Sequence, residues 1–174
     1  MSTVITYLKM PATTVTCPDA VAYYVYVADS PGEDDAIARR GVEAGSALGP
    51  DVAAGFAGLA RQVRGVLELQ PQGVDPVVQT LAGGMLLSRY LPTRTFELIV
   101  HGYDIAHAAG IEFAPHPRTV ADTVALAARI GVALGHGRRL VPVLTGRAGW
   151  SNTAVFNRAP DSKPDLADSL VSVP

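Results

Sequence analysis

A chain of 174 residues, 48% hydrophobic and 17% charged, is long enough for one compact domain with a sizeable core and short for two. Its formal net charge of −2, with Lys and Arg scattered, excludes the basic run that would neutralise a row of phosphates, so no nucleic-acid partner is expected. A single cysteine, Cys17, excludes an internal disulfide, and its neighbours Thr16 and Pro18 offer neither a base nor a positive charge to activate the thiol.

The opening residues, MSTVITYLKMPATT, have no charged stretch before their apolar residues, and no later apolar run approaches the ~18 residues needed to cross a bilayer. A cytoplasmic protein without a membrane partner is expected. Asp19 is placed to cap a helix through AVAYYVYVA, ended by Ser30-Pro31, although Val and Tyr also suit a strand. EDDAIARRGVEAGSAL, residues 33–48, has acids at its start and arginine in its middle, as the helix dipole favours, and Gly49-Pro50 closes it. Asp51 then caps a helix in which Val52, Phe56, Leu59, Val63, Val66 and Leu67 make one apolar face.

Residues 71–84, PQGVDPVVQTLAGG, read as a loop with a short extended piece at 77–81. Gly83-Gly84 is read as a turn, because no Lys-Ser or Lys-Thr follows to make a phosphate loop. Ser88 is the expected N-cap of the next helix, with Pro92 tolerated in its first turn, an end near Ala109, and Gly110 as left-handed cap. Arg118 to Leu134 shows helical spacing in Val120, Val124, Leu126, Ala127, Ile130 and Leu134. LVPVLTGR, AGWSN and TAVFN read as two short β segments around a turn, with Trp150 as a lid, and residues 157–174 as a loose tail after a domain over 1–156. The expected fold is mainly α, a helical bundle with a short β hairpin near the C-terminus.

The stretch TRTFELIVHGYDIAHAAG, residues 93–110, sets Arg94, Glu97, His101 and Asp104 at spacings of three, four and three, on one helix face. Glu97 and His101 can turn a carboxylate oxygen and an imidazole nitrogen to one point, as bundle helices present ligands to metals; the same spacing also suits a surface hydrogen bond. Phe96, Leu98, Ile99, Val100 and Ile105 make this helix apolar nearly all round, which leads us to expect a buried helix whose ionisable groups must pair or bind something.

RTFELIVHGYDIAHAAG resembles the core motif of the mycothiol-dependent maleylpyruvate isomerase family, a branch of the DinB-like four-helix bundles. The lead-in AGGMLLSRYLPTR, the helix after the motif and the VLTGR segment extend the resemblance over roughly residues 74–156, and 19–70 match more loosely. The resemblance implies a divalent metal, usually zinc, held by Glu97, by His101 and by a second histidine from an earlier helix, with mycothiol as cofactor. Residues 1–100 contain no histidine, so the third ligand has no counterpart here. Residues 4–8 resemble the end of that family's second helix, and the expectation is a chain whose first helix is missing, leaving a weak or empty metal site and a bared apolar stripe that invites homodimerisation.

Asp104 is a candidate substitute ligand or an outer acceptor for the histidine, while His107, His116 and His136 are solvated or capping residues unless recruited as ligands. With the site intact, the family's chemistry implies a metal-held thiolate attacking a small electrophile, as an isomerase or an S-transferase. Arg94 then balances the carboxylates or steers an anionic substrate and Asp104 orients its neighbours; an internal salt bridge is the plainer reading of both. Glu and His also suit nickel, manganese and iron. Tyr23, Tyr24 and Tyr26 are expected to pack between helices, with a hydroxyl lining the pocket as the alternative. Beside the thiol enzyme stand two further readings, a relative of the same fold that binds no metal and a small-ligand or partner-binding bundle.

Overall fold

The computed structural model describes residues 2–30 and 34–149, the side chains of 34–37 excepted. Over these residues the chain is mainly helical: α1 (Ser2–Leu8), α2 (Ala20–Ala28), α3 (Asp34–Ser46), α4 (Val52–Glu68), α5 (Leu87–Ala109), α6 (Pro117–Ala133) and α7 (Gly137–Leu144), with strands β1 (Val77–Thr80) and β2 (Gly83–Leu86) before α5. They fall into two compact units interleaved along the sequence, one from Met1–Asp19 and Ser30–Arg94, the other from Ala20–Asp29 and from Thr95 onward.

In the first unit, Asp51 caps α4 as its position suggests, its Oδ1 accepting from the Ala54 amide at 2.9 Å. The apolar face expected along α4 is only partly covered. Val63 is buried, Leu59, Val66 and Leu67 are half-buried, and Val52 and Phe56 are exposed. The helix packed on it, α1, is 7 residues long against its 17 and cannot cover the whole stripe.

The 71–84 stretch holds more order than its breakers suggest. β1 and β2 form an antiparallel hairpin in the register Val77↔Leu86, Val78↔Met85, Gln79↔Gly84 and Thr80↔Gly83. Residues 10–17 run alongside: Gln79 N donates to Met10 O (2.8 Å), Ala12 N to Val77 O (2.9 Å) and Thr16 N to Gly84 O (2.9 Å). A Cβ on Gly84 would stand 2.1 Å from the Thr14 carbonyl oxygen, so Gly83-Gly84 opens a strand that another stretch of backbone crosses at close range, and not merely a turn.

The start of α5 also departs from expectation. Ser88 lies inside the first turn, and Asp75 does the capping from the loop, accepting from Ser88 N at 2.9 Å and Ser88 Oγ at 2.5 Å. A carboxylate takes two donors where the serine hydroxyl would have taken one. Pro92 is the sixth residue of the helix and withholds a donor from the Ser88 carbonyl. Tyr90 then anchors the unit, its ring 5.2 Å from that of Tyr7 and its hydroxyl 3.0 Å from Thr3 Oγ1.

In the second unit, α2 packs on α6 and α6 on α7 around Tyr23, Tyr24, Phe96, Ile99, Leu126, Ile130 and Leu134. Gly110, at φ 65°, ends α5 as expected, with Ile111 N donating to Ala106 O and Gly110 N to His107 O, the paired closure of a helix C-terminus. On α6, Val124 is exposed although it shares the helical spacing of the buried Leu126 and Ile130.

LVPVL, expected as a β segment, is helical and forms most of α7. Its first turn closes directly off α6, Arg139 N and Leu140 N both donating to His136 O at 2.9 and 3.0 Å. Local closure outweighs the β preference of Val141 and Val143, and Pro142 would have been admissible only in an edge strand. Among the described residues the hairpin stands at 77–86; the expected second β segment, Trp150 and the tail over 157–174 lie outside them.

Candidate functional site

One uninterrupted helix carries the 93–110 motif, so Glu97, His101 and Asp104 recur on one side of α5 as the spacing requires. His101 Nε2 lies 3.1 Å from Glu97 Oε2, and His101 Nδ1 lies 3.2 Å from Asp104 Oδ2. From α2, the Tyr24 hydroxyl donates to Glu97 Oε1 at 2.6 Å. The result is a polar chain, Tyr24–Glu97–His101–Asp104, in which each end of the imidazole faces a carboxylate.

This chain is not in the dry setting that the apolar sequence suggests. The side chains of His101 and Asp104 are 65% and 68% exposed and that of Glu97 is 34% exposed. Leu98, Tyr103 and Ile105 are exposed as well, so the second half of the helix is apolar in composition yet open to solvent. Water shares the solvation of these groups, and exposed contacts of this kind, ion pairs only with the imidazole protonated, are worth on the order of 0.2–1 kcal/mol each at most. Binding is not required to keep them there.

Whether the donors fit a metal is a matter of geometry. A tetrahedral zinc ion with bonds of about 2.0–2.2 Å holds neighbouring donors roughly 3.3–3.6 Å apart, and Glu97 Oε2 and His101 Nε2 at 3.1 Å are close to two such corners. Asp104 meets the opposite nitrogen of the ring, which is the position of an outer acceptor and not of a third ligand. Among the described residues, no group of three or more His, Cys, Asp or Glu side chains is arranged to hold a metal ion. The pair thus supplies two donors and falls one short of the three protein ligands of a catalytic zinc site.

Arg94 belongs to the first unit, where its guanidinium lies 5.0 Å from the centre of the Tyr90 ring and its Nε donates to Thr93 Oγ1 at 2.9 Å. His107 is exposed in the last turn of α5. His116 caps α6, its Nδ1 accepting from Arg118 N at 3.2 Å, in keeping with the capping role considered for it. His136 is buried at the start of α7. Cys17 is buried too, and desolvation, followed by the nearby Asp19 charge, pushes its thiol pKa up, the opposite of an activated nucleophile.

Tyr24 is the site residue that the sequence placed first among the packing residues, with a hydroxyl lining the pocket only as the alternative and no link to Glu97. It stands 73 positions before Glu97, and no local spacing connects them. The available signal was three tyrosines within four residues of an otherwise apolar helix, where a buried hydroxyl calls for a partner. Tyr26, expected to pack with the other two, is exposed.

No helix among the described residues is long and apolar enough to cross a membrane. No family model, curated protein or solved structure matches this chain, so its reading rests on its own residues and on their geometry.

Proposed function

We propose that this is a DinB-like helical protein whose Glu97–His101 pair binds a divalent metal, zinc in the first instance, and serves mycothiol-dependent chemistry on a small electrophile in the cytoplasm, as an isomerase or S-transferase. The observation that carries the reading is the convergence of Glu97 Oε2 and His101 Nε2 at 3.1 Å, each donor backed by an outer partner. A metal bound there supplies a charge that keeps a thiol ionised at neutral pH. The chain's own part is to aim: with a metal bound, Asp104 would take the hydrogen bond at Nδ1 and Nε2 would be the nitrogen turned to the ion, while Glu97 brings a carboxylate oxygen to the same point. The remaining coordination positions need donors from outside this pair, and the thiol is one of them.

The second reading is a small-ligand-binding bundle without metal. It is favoured by the count of two donors and by a groove of about 470 Å³ in the first unit, walled by Leu67, Val74, Leu87 and Leu91, with Asp75 and Ser88 beside them.

Elemental mass spectrometry on the untagged chain separates the two, with Glu97→Ala and His101→Ala as controls. The metal reading expects close to one equivalent of a divalent metal, lost in both variants. A folded chain without metal rejects it, and a thermal shift of chelator-treated protein with small apolar ligands then tests the groove.

A further inference from the structure

Tyr24 differs from its partners in the polar chain because it is the buried member, 7% exposed, where Glu97, His101 and Asp104 all meet solvent. Its ring is held by the edge of Tyr23 at 5.4 Å and by Phe96 at 5.1 Å. Phe96 immediately precedes Glu97, so the contact that places the Tyr24 ring against α5 also delivers its hydroxyl to the neighbouring carboxylate.

A glutamate side chain on a helix surface has three rotatable bonds and a carboxylate whose two oxygens are equivalent. A rigid phenol that donates to Oε1 at 2.6 Å removes that freedom and that equivalence, and only Oε2 remains turned to His101. Asp104 gives the histidine a similar bond at 3.2 Å, but from a side chain that is 68% exposed, where water competes for both partners. The pin on the glutamate is half-buried and short; the pin on the histidine is exposed and longer.

We propose that Tyr24 is a positioning residue that locks the Glu97 carboxylate through Oε1, so that a single oxygen, Oε2, faces His101 and any cation bound between them. The positioning itself stands on the contacts; its role toward a cation rests on the metal reading above. Two consequences follow from a one-oxygen donor. The pair suits ions that accept a monodentate carboxylate and one imidazole, and it is poorly matched to calcium, which gathers six to eight oxygens and commonly takes a carboxylate through both. Removing the Tyr24 hydroxyl should also harm the pair more than removing the Asp104 carboxylate.

Tyr24→Phe tests this, since it deletes one oxygen and keeps the ring packed. Tyr23→Phe, on the ring edge-on to Tyr24, serves as control. In metal-free protein, the His101 ring resonances should move in Tyr24→Phe as they do in Glu97→Ala, and stay in place in Tyr23→Phe. Titration with Co(II), followed by its visible absorption, should show affinity reduced about tenfold or more in Tyr24→Phe, less in Asp104→Ala, with the melting transition of both variants retained. Unmoved ring resonances overturn the proposal, as does a Tyr24→Phe protein that binds Co(II) as tightly as the parent. If the parent binds no Co(II) while the ring resonances move, the metal reading fails and the locking of Glu97 by Tyr24 stands.

Discussion

Along α5, residues 87–99 bury Tyr90 and Thr93 completely and Ile99 to 7% exposed, whereas residues 100–109, no less helical, leave Tyr103 at 46% and Ile105 at 66%. The period is the same in both halves, and apolar residues are frequent in both. Burial therefore follows from what other elements bring to each half. In the first unit Tyr7 and Thr3 meet Tyr90 near the beginning of the helix, and in the second the Tyr24 ring reaches Phe96, while in the later turns most side chains, Ala106 excepted, are exposed. A polar group needs a partner only where water is shut out, and the difference explains why Thr93, fully buried, bonds the Tyr90 carbonyl at 2.7 Å while His101 and Asp104 face solvent.

The comparison can be broken first at its buried end. Tyr90→Ala empties a fully buried ring site and removes the partners of Tyr7, Thr3 and Arg94, and a loss of about 3–5 kcal/mol in chemical denaturation is expected. A loss under about 1 kcal/mol would show that this half of the helix is no better packed than the other.

A smaller, pH-dependent loss is expected at Cys17. Its folded-state pKa is raised by burial, so the stability it contributes is fully present below the ordinary thiol pKa and is lost as pH rises from there through the raised value. Unfolding midpoints measured from pH 7 to pH 10 should fall more steeply in the parent than in Cys17→Ala, and thiol-reactive dyes should label the folded chain slowly at neutral pH. Rapid labelling would mean that the thiol is not enclosed.

The least effect belongs to the open half of α5. Ile105→Ser should change stability by no more than about 0.5 kcal/mol, because the side chain is already in water. A loss of several times that size in the isolated chain would show that the face is covered in solution, and sedimentation of the parent would then reveal whether a second copy covers it.

Much of the local structure was legible from short-range signals. The Asp51 cap, the Gly110 closure, the His116 cap and the helical spacing of the 93–110 motif depend on residues within a turn or two of one another, and the structure holds each of them. The helix at 137–144 was misread for the opposite reason, since valine and proline pointed away from a helix that the closure of α6 onto His136 starts. The second strand was hidden because Gly83-Gly84 looks like a breaker until the backbone at Thr14 is seen to pass against it.

For the candidate site, the sequence by itself determined that Glu97, His101 and Asp104 share a face, because helical geometry allows nothing else at those spacings. Only the tertiary structure decided that Asp75 caps α5 from a loop, that the face is wet, and that a tyrosine 73 residues away holds Glu97. The physical reason is one of range. Hydrogen bonds within a turn are set by backbone periodicity, whereas burial and long-range partners depend on which elements the core brings together.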